Sequence, residues 1–306
     1  MKENYRSIRN RIKSMQSTLH TTSAMKAAAG AKLKKIQGQA LRSKGFMDLV
    51  RVFMEDLLKV QKSEMNISEK MQDIITSHAD IKKIGVLVLG SDRGLAGNYN
   101  NLIENKINEV YSDKKESGKE VFFLPVGKRV EKVLKKKGHL TLEIHDVADF
   151  PTEADSEKIN TQLLDYYLSG ELDEIYILSF RFYSASKQEV ECEKYLPFSF
   201  DFESKNIAKV TRADRVDRDP DFGITEFDPQ AEDILEKLFE LYLSTFIRQI
   251  LLESKASEHL FRMNAMSKAA ENVEELLEDL RIKFNQSRQA RITSEMIDII
   301  NASRDE

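Results

Sequence analysis

Residues 5–57 read YRSIRNRIKSMQSTLHTTSAMKAAAGAKLKKIQGQALRSKGFMDLVRVFMEDL. Alternating steps of three and four from Tyr5 land on Tyr5, Ile8, Ile12, Met15, Leu19, Thr22, Lys26, Ala29, Leu33, Ile36, Ala40, Ser43, Met47, Val50, Met54 and Leu57. Thirteen of these sixteen are apolar, and a 3.5-residue period sustained this far predicts a helix whose apolar seam lies against another helix. The same count from Leu235 to Phe284 finds twelve apolar residues in fifteen positions. No proline precedes Pro125, and the 77 residues after Pro229 hold neither proline nor glycine, so nothing breaks either helix. At about 1.5 Å per residue, some 70 residues of helix span roughly 100 Å, against a radius of gyration near 20 Å for a compact chain of this size. The chain ends are therefore expected to form a long antiparallel coiled coil, a rod bearing a knob.

The knob is the middle of the chain. Between residues 78 and 228, short β-branched and aromatic runs alternate with helical patterns. The strands expected are KKIGVLVLGSD at 82–92, KEVFFLPVGK at 119–128, TLEIHDV at 141–147, EIYILSFRFY at 174–183 and KQEVECEKYLPF at 187–198. Helices are expected at 99–117, 128–137 and 156–169. Alternation of this kind predicts a Rossmann-like α/β sheet domain. The organisation is a first helix over 1–60, an inserted α/β domain over 78–205 and a second long helix over 228–301.

Composition excludes several classes. With 306 residues and 41% hydrophobic content, the chain buries a core. Its longest clean apolar run, Ile84 to Leu89, falls far short of the roughly 20 residues of a membrane-spanning helix. No apolar leader opens the sequence. The five histidines lie apart and Cys192 is the single cysteine, which leaves no spacing suited to zinc and no internal disulfide. The net charge of -4 hides a strong asymmetry. From Met1 to Lys59 there are 13 Lys and Arg against four acids, and between Asn4 and Met47 ten bases and no acid. This arm must face solvent, a polyanion or an acidic protein partner. It has no interleaved aromatics on which bases would stack.

Candidate chemistry is sparse. No G-x-x-x-x-G-K-[ST] phosphate loop occurs. SDRGLAGNYN at 91–100 follows a strand and opens a helix, the place for an anion site, but its glycines serve a plain strand-to-helix turn equally well. Ser184, Ser186 and Asp92 have no histidine at the spacing of a hydrolytic triad. His259 falls on the helical seam, where a hydrogen-bonded register residue is expected before a catalyst. The seam methionines are adaptable filler.

Four motifs together carry a resemblance: AMKAAAGAKL at 24–33, SDRGLAGNYN at 91–100, ASEHLFRMNAM at 256–266 and RQARITSEM at 288–296. In this order, with LPF at 196–198, FDP at 227–229 and LLES at 251–254, the chain resembles the gamma subunit of the F-type rotary ATP synthase over nearly its whole length. The resemblance implies a non-catalytic rotor shaft without a cofactor of its own, turning inside a sleeve of three alpha and three beta subunits. Its α/β domain would meet the epsilon subunit and the membrane c-ring, with no nucleic acid and no segment of its own in the bilayer. It would lie on the cytoplasmic face of a bacterial plasma membrane and couple ring rotation to nucleotide turnover on the beta subunits. The resemblance further implies that Met25 and Lys26 lie near the beta-subunit lever, and that Arg288, Gln289, Thr293 and Glu295 face a catalytic-subunit loop. Phe227 and Asp228, where the family commonly has aromatic-Glu-Pro, would face the rotor ring or epsilon. The charged end, residues 301–306, departs from the small apolar tip of the family. A shaft of a specialised or duplicated rotary ATPase, a nucleotide-binding enzyme using the 91–98 loop, and a coiled-coil nucleic-acid or scaffold protein using the basic arm are the alternatives. The lone Cys192 excludes the paired-thiol switch of the light-regulated plant form.

Overall fold

The computed structural model describes residues 5–60, 69–76, 80–198 and 231–302. The first helix, α1, runs Tyr5–Val60 and the last, α6, runs Ala231–Ala302. Of the sixteen seam positions counted along α1, fifteen are buried or half-buried. The exception is Lys26, which is exposed while its neighbour Met25 is half-buried. The count returns to the seam at Ala29 and holds to Leu57, so Lys26 is a local exception whose ammonium reaches the Ser267 hydroxyl at the margin of the contact.

Between α1 and α6 lie α2 (Glu69–Ile75), β1 (Lys83–Leu89), α3 (Tyr99–Glu116), β2 (Glu120–Val126), α4 (Lys128–Lys137), β3 (Leu140–Thr141), α5 (Glu153–Leu168), β4 (Glu174–Phe182) and β5 (Gln188–Leu196). The chain divides into two compact units. One gathers residues up to Lys35, the loop Arg93–Tyr99 and α6 from Ala256; the other gathers Ile36–Asp92 and Asn100–Lys255.

In the helical unit α1 and α6 pack antiparallel. Tyr5 stacks on Phe284 with ring centroids 4.7 Å apart, Lys26 Nζ donates to Ser267 Oγ at 2.9 Å, and Gly30 faces the Met263 sulfur. Partner numbers fall along α6 as they rise along α1. Past Met266 the buried positions of α6 narrow to Val273, Leu277 and Leu280, one stripe for one partner. The loop clasps α6 from the side. Gly97, at φ 56, lies over Ala265 and the Phe261 carbonyl, and Tyr99 meets the Phe261 ring edge-on at 5.9 Å.

The other unit is built on a five-stranded sheet of order β3-β2-β1-β4-β5. The β1–β2, β1–β4 and β2–β3 pairs are parallel, and the β4–β5 hairpin is antiparallel. Strand β1, KIGVLVL, is buried at every residue after Lys83, as a central parallel strand covered on both faces must be. Val50 and Met54 of α1, the α5 residues Ile159 and Leu163, and Phe239, Leu243 and Ile247 of α6 share one core with it. From Leu235 to Leu251 the α6 residues are buried on most sides, which is why this stretch is apolar beyond its seam. Gly127 adopts φ 111, and a Cβ there would stand 2.8 Å from the Gly90 carbonyl oxygen; only glycine lets β2 pass into α4 so close to β1.

Three elements differ from the sequence expectation, the first being α2 at Glu69–Ile75, which has no counterpart in it. The strand expected at 141–147 shrinks to Leu140–Thr141. Past Leu142 the backbone donors find side chains instead of a ladder: His145 N–H donates to Gln162 Oε1 at 2.8 Å and Val147 N–H to Asp146 Oδ1 at 3.0 Å. Helix α5 starts three residues before the expected 156, because Thr152 and Asp155 form a reciprocal capping box.

Candidate functional site

The motif 91–100 begins at the carboxyl end of β1, where open α/β sheets bind ligands. Ser91 is buried, with its hydroxyl 2.8 Å from Asn100 Oδ1. Asp92 accepts the Lys128 backbone N–H at the start of α4 (3.2 Å) and lies 3.5 Å from Lys255 Nζ of α6, whose side chain is 6% exposed. A helix start and a buried ammonium are what a phosphate would need, and here the chain places its own carboxylate between them. Further along the motif, Leu95 adopts φ 63 and is 62% exposed. A leucine in the left-handed region stores about 1–2 kcal/mol of strain.

The other residues singled out in the sequence separate into two groups. Met25 and Lys26 lie together on α1, and the Lys26–Ser267 contact continues as Ser267 Oγ donates to Glu271 at 3.1 Å. Arg288, Gln289, Thr293 and Glu295 are all exposed, on the part of α6 beyond the Tyr5–Phe284 stack. Glu295 accepts from Arg291 Nε at 2.7 Å, and the Thr293 hydroxyl donates to the Gln289 carbonyl at 3.0 Å. From Ser267 to Arg288 is about 32 Å along the helix, so the two groups are separate surfaces. Phe227 and Asp228 lie outside the described residues.

The helical unit is electrically divided. On α1 the exposed charges Arg6, Arg9, Arg11, Lys13 and Lys34 are all positive. On α6 the exposed charges from Glu271 to Asp279 (Glu271, Glu274, Glu275, Glu278 and Asp279) are all negative, while Lys268 before them and Arg281, Lys283, Arg288 and Arg291 after them are exposed bases.

Sequence reasoning missed a buried network in the sheet unit. Arg181 of β4 bonds Glu193 of β5 and reaches Glu253 of α6 at 3.5 Å. Glu253 also accepts from Gln249 Nε2 at 2.7 Å and from the Phe182 N–H at 3.4 Å. Burial works against the Arg181 charge, but Glu193 and Glu253 more than offset it and its pKa is raised. No motif announces these residues; the only hint is a glutamate in a stretch of α6 that is buried nearly all round. Cys192 is half-buried, and desolvation raises its thiol to about 11, which keeps it protonated and unreactive at neutral pH.

Among the described residues, no group of three His, Cys, Asp or Glu is placed to hold a metal ion, and no helix is long and apolar enough to cross a membrane. Antiparallel chain-end helices, and an α/β sheet inserted between them in sequence whose ligand crevice is filled from within, define a protein of paired terminal helices with an inserted α/β domain. The model of the family described as ATP synthase matches residues 4–304. The ATP synthase gamma chain of Moorella thermoacetica is 31% identical over 96% of each chain, and that of Clostridium botulinum 32% identical over 97% of this chain and 96% of its own. Two solved structures share the fold. The Tetrahymena thermophila mitochondrial ATP synthase central stalk/c-ring has a TM-score of 0.54 at 21% identity, over 81% of this chain and 99% of that one. The Euglena gracilis mitochondrial enzyme gives 0.51 at 13%, over 92% and 94%. The chain belongs to the ATP synthase gamma chain family, non-catalytic subunits of the central stalk of F-type ATP synthase.

Proposed function

We propose that this chain is the rotor shaft that couples ion-driven turning of a membrane c-ring to ATP synthesis or hydrolysis on the beta subunits of a bacterial F-type enzyme. The observation that carries this is the divided charge of the α1/α6 pair. A rod whose first helix exposes a row of bases and whose second exposes an acidic patch at Glu271–Asp279 presents a different surface to each of three beta subunits at any instant, and exchanges those surfaces as it turns. A partner whose conformations differ in charge near the rod is then biased differently at each angle, which is all that coupling requires. Exposed charges act over about 8 Å at physiological ionic strength, so the effect is confined to subunits in contact with the shaft.

In this reading Met25 and Lys26 meet the beta-subunit lever, and Arg288, Gln289, Thr293 and Glu295 meet a loop of a catalytic subunit. Phe227 and Asp228, with the sheet unit, face the epsilon subunit and the c-ring. The segments 1–60 and 228–301 act as the shaft and 78–205 as the inserted domain, peripheral to the cytoplasmic face of the membrane. Its bacterial relatives and the solved stalk assemblies support the setting. The test is co-expression with the cognate alpha and beta subunits. A purified assembly of three alpha, three beta and one copy of this chain, with ATPase activity that the separate components lack, is expected. A competent alpha–beta ring that excludes the chain would overturn the reading.

A further inference from the structure

Helix α4, KRVEKVLKKK, carries six bases and one acid in ten residues. It packs on β2 and β3, burying Val130 and Leu134. Two of the bases have acidic partners: Lys135 pairs with Glu131 at 2.6 Å and Lys137 with Glu104 of α3 at 2.7 Å. Lys128, Arg129, Lys132 and Lys136 are exposed, and their side chains meet no carboxylate among the described residues. At about 100° per residue these four fall within roughly 100° of the helix circumference, on the side away from Val130 and Leu134, and they form one basic face about 15 Å long.

Helix electrostatics accounts for only part of this face. A lysine in the last turn suits the negative end of the helix dipole, and Lys136 has that use. Lys128 and Arg129 stand in the first turn, at the positive end, where a base opposes the dipole. The one acid of that turn, Glu131, is engaged by Lys135 on another side of the helix. Bases kept where they work against their own helix serve something outside it.

We infer that this face of α4 rests on an anionic lipid surface, held to the headgroups by charge and without entering the bilayer. Every exposed residue of α4 is a base, so no apolar side chain stands among them to anchor a partner chain. Three of the four unpaired bases are lysines, point charges without the planar fork that fits arginine to a carboxylate, and lysine is depleted at the centres of protein interfaces. A headgroup layer needs neither anchor nor fork, and clusters of about four to eight bases are what recognise it. The position agrees: α4 leads into β3, the terminal strand of the sheet, so its outer face lies over the margin of the sheet, open to a broad flat surface.

This rests on the reading of the chain as a membrane-peripheral subunit, and the test separates the two. The water-soluble assembly of alpha and beta subunits with the whole chain is mixed with phosphatidylcholine vesicles that contain phosphatidylglycerol or lack it, and the bound fraction is read by flotation. Binding to the anionic vesicles alone, falling as salt is raised, is expected. At the strength one base contributes beside an anionic surface, the double variant Lys132→Gln, Lys136→Gln should bind about thirtyfold more weakly. Lys13→Gln, Lys34→Gln removes the same charge from α1 and should bind as the parent does. All four lysines are exposed and meet no described carboxylate, so the fold stays intact in both variants. Equal binding to vesicles without phosphatidylglycerol, an unchanged affinity of the α4 variant, or an equal loss in the α1 variant would each overturn the inference. So would polyglutamate or polyuridylate bound as tightly as the vesicles at equal charge concentration, which would assign the face to a protein or a nucleic acid. Failure of the chain to join a competent alpha–beta ring would instead overturn the shaft reading.

Discussion

Arg181 of the sheet and Glu253 of the long carboxyl-terminal helix meet at 3.5 Å, with side chains 18% and 15% exposed. The pair fastens the β4–β5 hairpin to α6. A buried ion pair broken on one side leaves the other charge without compensation, which is the costly outcome. Arg181→Met is therefore expected to lower stability by about 3 kcal/mol. Adding Glu193→Gln and Glu253→Gln should recover more than half of it, because nothing charged is then left buried. Equilibrium denaturation of the parent and the two variants decides; equal losses for the single and triple variants would contradict this account.

The 91–100 loop yields a prediction of the opposite sign. Leu95 holds a positive φ that glycine adopts freely, so Leu95→Gly should raise stability by about 1 kcal/mol despite the loss of a side chain, since that side chain is mostly in solvent. If assembly with the alpha–beta ring weakens while stability rises, the strain is being held for a contact. Comparing the melting temperature of the chain with its retention in the complex reads both effects.

Gly38 and Gly45 lie inside α1, and a methyl group at either would meet nothing within 4 Å. Alanine at each should add about 0.5–1 kcal/mol. A scanning-calorimetry melt of the double variant below that of the parent would show that these glycines are needed for some other geometry.

Among the histidines, His139 packs edge-on against Tyr111 with centroids 4.4 Å apart. Burial, then Lys137 and Lys115, lower its pKa in the fold. The unfolded chain therefore binds this proton more readily, so stability is intact above the unfolded value near 6.5 and declines as the pH falls from there toward the lower folded value. His139→Phe should remove that part of the slope between roughly pH 7 and 5, as measured by urea midpoints across the range.

At the proposed lever contact, Met25→Lys puts a second ammonium beside Lys26 on a half-buried position. Fewer coupling ions pumped per ATP hydrolysed are expected, with hydrolysis itself retained. A pumping ratio equal to that of the parent assembly would remove Met25 from the coupling contact.

Much of this architecture is written in spacing. The seam from Ile8 to Leu57 is legible because an apolar residue every three or four positions has one physical use; β1, β2 and β4 stand out as mostly buried apolar runs, and β5, QEVECEKYL, as a half-buried strand after the Ser184–Ser186 turn. Helix α4 matches its expected span of 128–137 because glycines bound it on both sides. What stayed hidden depends on partners distant in sequence. The exposure of Lys26 at a counted seam position depends on its long side chain reaching Ser267 of the distant α6. The end of β3 depends on Gln162 reaching His145, and α2 at Glu69–Ile75 is too short to show a period. Nothing near Arg181 reveals that Glu253, 72 residues later, will complete it.

The stacking of Tyr5 on Phe284 also sets a timetable for synthesis. The strands of the sheet lie in one continuous stretch of the middle of the chain, free to pair as they leave the ribosome, whereas the basic helix α1 emerges before all of them and its partner α6 after all of them. At about 5–20 residues per second, the interval is roughly 15 to 60 s. For that time a helix with a bare apolar seam and a row of positive charges stands in a cytosol full of polyanions, and its first companion in the cell is whatever shields it until its own far end arrives.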